Sequence, residues 1–147
     1  MKLQSVLASK GPRVITTPPT STVSEAVALL ARHNIGAVVV VDAAGQIHGI
    51  ISERDVIRAL ASREGVMALT VADLMTTALV CGSPSDDLEP VLQSMTTRHF
   101  RHLPVVEDGR LVGILTISDL VKAQLNQYRG TIDTLELRLL ESLRAAS

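Results

Sequence analysis

Val23, Ala26, Val27 and Leu30 recur at steps of three, one and three residues, a spacing that predicts a helix with one apolar face. Thr22 and Glu25 stand three residues apart at its start, as in a capping box, where each residue satisfies the other's free N–H. Ahead of it, Val14-Ile15 reads as a short apolar strand closed by a Thr/Pro turn through Thr20. Beyond it, Val38 to Val41 is an unbroken apolar run, the pattern of a strand buried on both faces. Asp42-Ala43-Ala44-Gly45 then turns the chain into a second run, Ile47 to Ile51, and Ser52 opens another helix.

The order then repeats. Gly45-Gln46-Ile47-His48-Gly49-Ile50-Ile51-Ser52-Glu53-Arg54-Asp55 returns as Gly109-Arg110-Leu111-Val112-Gly113-Ile114-Leu115-Thr116-Ile117-Ser118-Asp119. Upstream, Asn34 to Val41 corresponds to His99 to Val106, Val14-Ile15 to Leu79-Val80, and Pro19 to Pro84. The offset is 65 residues before the hairpin turn and 64 after it, so the second copy lacks one loop residue. A deletion confined to a loop, with apolar register kept on both sides, marks a duplicated folded unit. In the second copy Asp87 takes the helix-capping position, and Pro90 falls in the first turn, which tolerates a missing N–H.

The pattern predicts an α/β (α+β) fold of two β-α-β-β-α units, residues 3–62 and 71–125, joined by a linker at 63–70. Leu3 to Leu7 and Val71 to Met75 read as helical lead-ins to each unit. A unit of about 60 residues buries too little surface to stand alone, so the two are expected to pack through their sheets. Residues 126–147 continue as an amphipathic C-terminal helix. Val121, Leu125, Tyr128, Ile132, Leu135 and Leu139 alternate steps of four and three, the seam of a coiled coil. Gly130 interrupts the helix at a cost of about 1 kcal/mol relative to Ala. That seam must bury itself on a second copy of the chain or on its own domain, and a homodimer is the preferred expectation.

Composition narrows the function. Basic and acidic residues nearly cancel, at 14 against 15, and Phe100 and Tyr128 are the only aromatics. Neither a basic excess nor stacking platforms are available for nucleic acid, which is not expected as a partner. No apolar run reaches a membrane-spanning length, and the N-terminus lacks a signal-peptide core, so a soluble cytoplasmic protein is expected. Cys81, the single cysteine, reads as a core thiol. His99 and His102 have a His-x-x-His spacing without a third ligand, so no metal is expected. His33 and His48 read as exposed. No nucleophile, acid–base pair or metal assembles, and no enzyme activity is expected.

The repeated Ser/Thr-x-x-Asp carries the candidate chemistry. A helix start offers free N–H groups and positive dipole to a phosphate, and Ser52 and Thr116 add hydroxyls there. One turn on, Asp55 and Asp119 offer carboxylate oxygens to a ribose diol. Gly49 and Gly113 omit a side chain just before the helix, which would let a ligand approach the backbone. The same residues also form simple capping boxes, worth about 1 kcal/mol each with no ligand at all. Both readings stand at this point.

Gly-Ile-Ile-Ser-x-x-Asp and Gly-Ile-Leu-Thr-x-x-Asp, each closing one copy, together with Leu103-Pro104-Val105-Val106-Glu107, resemble the tandem cystathionine-β-synthase (CBS) domain pair of stand-alone bacterial proteins. The resemblance spans roughly residues 3–125. It implies a regulatory module without catalysis, used for example in energy sensing. The implied ligands are AMP, ATP, NAD(H) or S-adenosylmethionine, held in two clefts between the units, with no cofactor required. By that resemblance, the first cleft combines Ser52, Arg54 and Asp55 with Val80, Arg101 and His102. The second combines Thr116, Ser118 and Asp119 with Ile15, Gly36 and Ala37. Arg54, Arg101 and His102 would make the first cleft the basic one, favoured by polyphosphates, unless the two arginines are merely solvated. Any output would act on an effector protein in trans. The alternative is a structural dimerisation scaffold with unoccupied clefts.

Overall fold

The computed structural model describes residues 1–146; residue 147, the end of the expected tail, lies outside the described residues. The chain runs α1 (Leu3–Lys10), β1 (Thr16–Thr17), α2 (Val23–His33), β2 (Ala37–Val41), β3 (Ile47–Ser52) and α3 (Glu53–Ser62). A 3-10 turn (Val66–Ala68) leads to α4 (Val71–Leu74), α5 (Leu88–Arg98), β4 (His102–Glu107), β5 (Arg110–Thr116) and α6 (Ile117–Ala146).

In the first unit β2 pairs antiparallel with β3, and β1 adds on the other side in parallel, giving the order β1-β2-β3. The second unit repeats the hairpin as β4-β5. The one-residue deletion lies in the turn. Asp42 Oδ1 accepts from the N–H groups of Ala44 and Gln46 in the first hairpin. Asp108-Gly109 makes the tighter second turn, with φ of 51° and 76°, as a two-residue hairpin turn requires. The α2 capping box forms as the spacing predicts.

Two local expectations are corrected. The first strand lies at Thr16–Thr17 rather than Val14-Ile15, and Ile15 packs against the core. Its counterpart at Leu79-Val80 is not a strand at all; only Gly82 bridges to Val105. Gly82 N–H donates to the Pro104 carbonyl, and the Gly82 carbonyl accepts in turn from Val106 N–H. Continuing that ladder toward residue 80 would need an N–H from Pro104, which has none. Asp87 does occupy the cap position of α5, but its side chain makes no cap bond. Its carboxylate pairs instead with Lys2 at 2.9 Å.

The lead-in helices are exchanged between units. Leu3 and Val6 of α1 are buried in the second core, with Leu88, Met95, Leu103, Val105, Leu115 and Leu120. Val71, leading into the second unit, is buried in the first core with Val23, Val38, Val40 and Ile51. Backbone bonds fix both dockings, Leu3 N–H to the Asp86 carbonyl and Val71 N–H to the Ser21 carbonyl. Each buried anchor contributes roughly 1.5–3 kcal/mol, so the exchange ties the halves together. Gly49 and Gly113 serve this docking rather than a ligand. A Cβ on Gly49 would stand 2.6 Å from the Thr76 carbonyl oxygen, and one on Gly113 would collide with Leu7 Cδ2.

The last helix of the second unit and the tail are one helix of 30 residues, about 45 Å long, which runs through Gly130. Its seam faces solvent: Leu125 is 50% exposed, Ile132 53% and Leu139 61%.

Candidate functional site

Strand β3 ends at Ser52 in extended backbone, and the next residue begins α3, so the strand-to-helix junction fixes the hydroxyl and the following acid together. The capping reading is realised. Asp55 N–H donates to Ser52 Oγ at 3.2 Å, while Ser52 N–H donates to Asp55 Oδ2 at 2.9 Å. Thr116 and Asp119 repeat the pair at 2.8 and 3.0 Å. The helix starts are also less open than the sequence implies. Glu53 N–H already donates to the Gly36 carbonyl, and Ile117 N–H to the Arg101 carbonyl. With the first and third N–H groups of each helix taken, the backbone cradle is reduced and side-chain cations gain weight in holding a phosphate.

The further partners differ between the copies: Thr76 bonds the oxygen of Asp55 that the cap leaves, whereas Lys10 bonds the oxygen of Asp119 that already accepts from Thr116 N–H. Asp55 Oδ1 accepts from Thr76 Oγ1 at 3.2 Å. Asp119 Oδ2 accepts from Lys10 Nζ at 2.7 Å, and the same ammonium donates to the Ile114 carbonyl at 2.8 Å. Thr76 pairs by backbone with Ile50, the repeat equivalent of Ile114, so Lys10 covers with its side chain what Thr76 covers with its main chain. Burial by itself would raise the pKa of Asp119, but Lys10 and the Thr116 donors outweigh it and hold the carboxyl below its ordinary value.

Both acids border crevices formed by residues of both units. The first, about 570 Å³, brings Ser52, Arg54 and Asp55 together with Arg101 and His102. Val80 does not line it; it packs against the second core. The second, about 300 Å³, brings Thr116 and Asp119 together with Ile15, Gly36 and Ala37. Ser118 lies outside it, on a groove along α6 beside Val121 and Leu125. Gly36 and His102 line both crevices.

Sequence reasoning missed several lining residues. Phe100, Ile50, Thr76, Glu53 and Arg58 border the first crevice, and Lys10, Arg13, Ile35 and Ile114 the second. Ile35 and Phe100, and likewise Ile50 and Ile114, are repeat equivalents that the alignment of the copies could have supplied. Lys10 and Arg13 carry no such signal: Lys10 arrives on the exchanged lead-in, and Arg13 follows it in the loop before β1. They also correct the expected charge asymmetry, since a lysine and an arginine face one acid in the second crevice. Three arginines face two acids in the first.

The histidines sort by surroundings. His102 is half-buried; burial first, then Lys10 and Arg101, lower its pKa against the opposing pull of Glu53 and Asp119. His99 caps the end of α5 in left-handed backbone, and no metal-holding cluster occurs among the described residues. His48 bonds Asp42 at 2.7 Å and His33 bonds Arg13 at 3.1 Å. Cys81 is exposed rather than core, and partial burial pushes its thiol up, away from the reactive thiolate. No helix among the described residues is long and apolar enough to cross a membrane.

A family model for the CBS domain matches twice, at residues 9–62 and 71–126. The chain belongs to the CBS domain family, as a tandem pair. It is 33% identical over 130 residues to the CBS domain-containing protein YhcV of Bacillus subtilis, covering 88% of this chain and 92% of that one. The crystal structure of the CBS-domain containing protein ATU1752 from Agrobacterium tumefaciens is similar with a TM-score of 0.81 and 38% identity. The match covers 84% of this chain and 99% of that chain. The CBS domain pair of protein MJ0100, solved in complex with methylthioadenosine and S-adenosyl-L-methionine, matches at 26% identity and TM-score 0.76, over 86% and 98% of the two chains.

Proposed function

We propose that this CBS pair is a non-catalytic regulatory module that binds adenosyl ligands in its two inter-unit crevices. The observation that carries the reading is the double placement of a hydroxyl and an acid at a crevice wall, Ser52 with Asp55 and Thr116 with Asp119. Each carboxylate is held for a diol by its cap, so capping and binding are one arrangement. Phe100, Ile50, Ile35 and Ile114 offer apolar walls for a base. The adenosyl ligands of the MJ0100 pair support that ligand class, which takes in AMP, ATP, NAD(H) and S-adenosylmethionine. Asp55 and Asp119 stand in separate crevices, so no paired-carboxylate chemistry is available to them.

The module acts in the cytoplasm as a homodimer, and its ligand state is read by an effector protein in trans. The exposed seam of α6 is the surface we assign to the second copy. In an antiparallel pair with Ile132 against Leu135 of the other copy, Tyr128 meets Leu139, and Arg129 meets Glu136 twice over, so charge and apolar pattern agree. Titration calorimetry with AMP, NADH and S-adenosylmethionine tests the ligand reading. Saturable binding to the parent, with loss of one site in Asp55→Ala, is expected. Heat of dilution alone for all three ligands would leave the scaffold reading in its place.

A further inference from the structure

Among the described residues Lys10 is the one cation in either crevice bonded to a repeated acid, and it reaches the second unit only because α1 docks there. Its ammonium stands between Asp119 Oδ2 and the Ile114 carbonyl, with Arg13 lining the same crevice. At the corresponding point of the first crevice stands Thr76, a neutral hydroxyl. The two crevices therefore present their acids to different partners: Asp55 is bonded by neutral donors, Thr76 and Ser52, and Asp119 is half of an ion pair with Lys10.

We propose that Lys10 sets the ligand class of the second crevice, making it select adenosyl ligands with a 5′-phosphate over those with an uncharged 5′ group. This rests on the adenosyl reading above. A ligand whose ribose diol approaches Asp119 must share that carboxylate with the ammonium. A phosphate compensates the ammonium as the diol takes up carboxylate oxygens, and the two cations then face two anionic groups. A thioether offers the ammonium nothing, so the ligand meets an ion pair it cannot replace. Helix-start N–H groups compete less for that phosphate, because those of Ile117 and Asp119 are already bonded.

AMP and methylthioadenosine differ only at the 5′ position and make the test direct. Both are titrated into the full-length Asp55→Ala protein, where the first crevice is disabled, and into the same protein carrying Lys10→Met or Lys10→Arg. The expected result is at least tenfold preference for AMP, lost in Lys10→Met through weaker AMP binding and retained in Lys10→Arg. Equal binding of the two ligands before Lys10 is changed, or an unchanged ratio in Lys10→Met, overturns the assignment while leaving the adenosyl reading intact. Tighter binding of both ligands in Lys10→Met also overturns it, by showing a plug rather than a selector. Absence of both ligands from the parent protein removes the assignment together with the reading beneath it.

Discussion

A methyl group placed on Gly36 would stand 3.3 Å from Nε2 of His102 and equally close to Oε1 of Glu53. Both Gly36 and His102 line both crevices, so this contact is the partition between them. A larger side chain at 36 would intrude on two sites at once. Gly36→Val is expected to weaken ligand binding at both crevices by tenfold or more, whereas Asp55→Ala affects only the first. Calorimetric stoichiometry distinguishes them, and loss of a single site in Gly36→Val would refute the shared partition.

Ser52→Ala and Asp55→Ala separate capping from binding. Each removes a capping-box bond and is expected to cost about 1 kcal/mol in urea unfolding. Only Asp55→Ala removes the carboxylate proposed to hold the diol. Its affinity loss at the first crevice should therefore exceed that of Ser52→Ala at similar stability, and equal losses would show that the acid serves the helix alone.

The exchanged lead-ins predict unequal glycine substitutions. In Gly49→Ala the new Cβ meets a backbone carbonyl, that of Thr76, which pairs in turn with Ile50. In Gly113→Ala it meets the tip of Leu7, which can rotate away at modest cost. Overpacking costs about 1–3 kcal/mol, so Gly49→Ala is expected toward the upper end and Gly113→Ala toward the lower. Denaturant midpoints with unchanged m-values give the comparison, and the reverse order would contradict the docking described.

The repeat makes most of the fold legible in the sequence. Helix faces, both hairpins, the caps at Thr22, Ser52 and Thr116 and the long final helix follow from spacing, because each depends on neighbours in sequence. The first strand falls two residues beyond Val14-Ile15 because short parallel pairing is set by the adjacent strand, not by its own apolarity. The loss of the equivalent strand near Val80 follows from a single missing N–H at Pro104, 24 residues away. Lys10 is hidden for the same kind of reason: the repeat locates residues within a unit, and Lys10 crosses to the other one, while Arg13 stays by its own unit at His33. Gly49 and Gly113 looked like ligand openings because a missing side chain says that something approaches, not what.

His102 gives the fold a pH dependence of definite sign. Its pKa is lowered in the folded protein from 6.5, so the unfolded chain takes up the proton first as the pH falls. Stability that is present above pH 6.5 is lost as the pH falls below it toward the folded pKa. Burial opposes the proton most, Glu53 and Asp119 draw it in, and Lys10 and Arg101 add to the opposition. Urea midpoints should fall between pH 7.5 and 5.5, and His102→Asn should flatten that slope. A parent slope retained in His102→Asn would assign it to another group.

The seam of α6 predicts the oligomeric state. Ile132→Asp places a charge in the central layer of the proposed pair, at a residue 53% exposed in the single chain. Light scattering after size exclusion should show a dimer for the parent and a lighter species for the variant, with unfolding of the CBS units little changed at low concentration. A parent monomer, or a variant as dimeric as the parent, would send the seam elsewhere.

Thermal unfolding with and without AMP, in the parent and in the Asp55→Ala/Asp119→Ala double variant, tests the central claim most directly. A ligand at a hundred times its dissociation constant stabilises by about 2.7 kcal/mol, which for a chain of this size raises the midpoint by roughly 5–10 °C. That rise is expected in the parent and should be largely absent from the double variant. An equal rise in both proteins would contradict the role given to the two acids. No rise in the parent with AMP, ATP, NADH or S-adenosylmethionine would contradict adenosyl binding altogether.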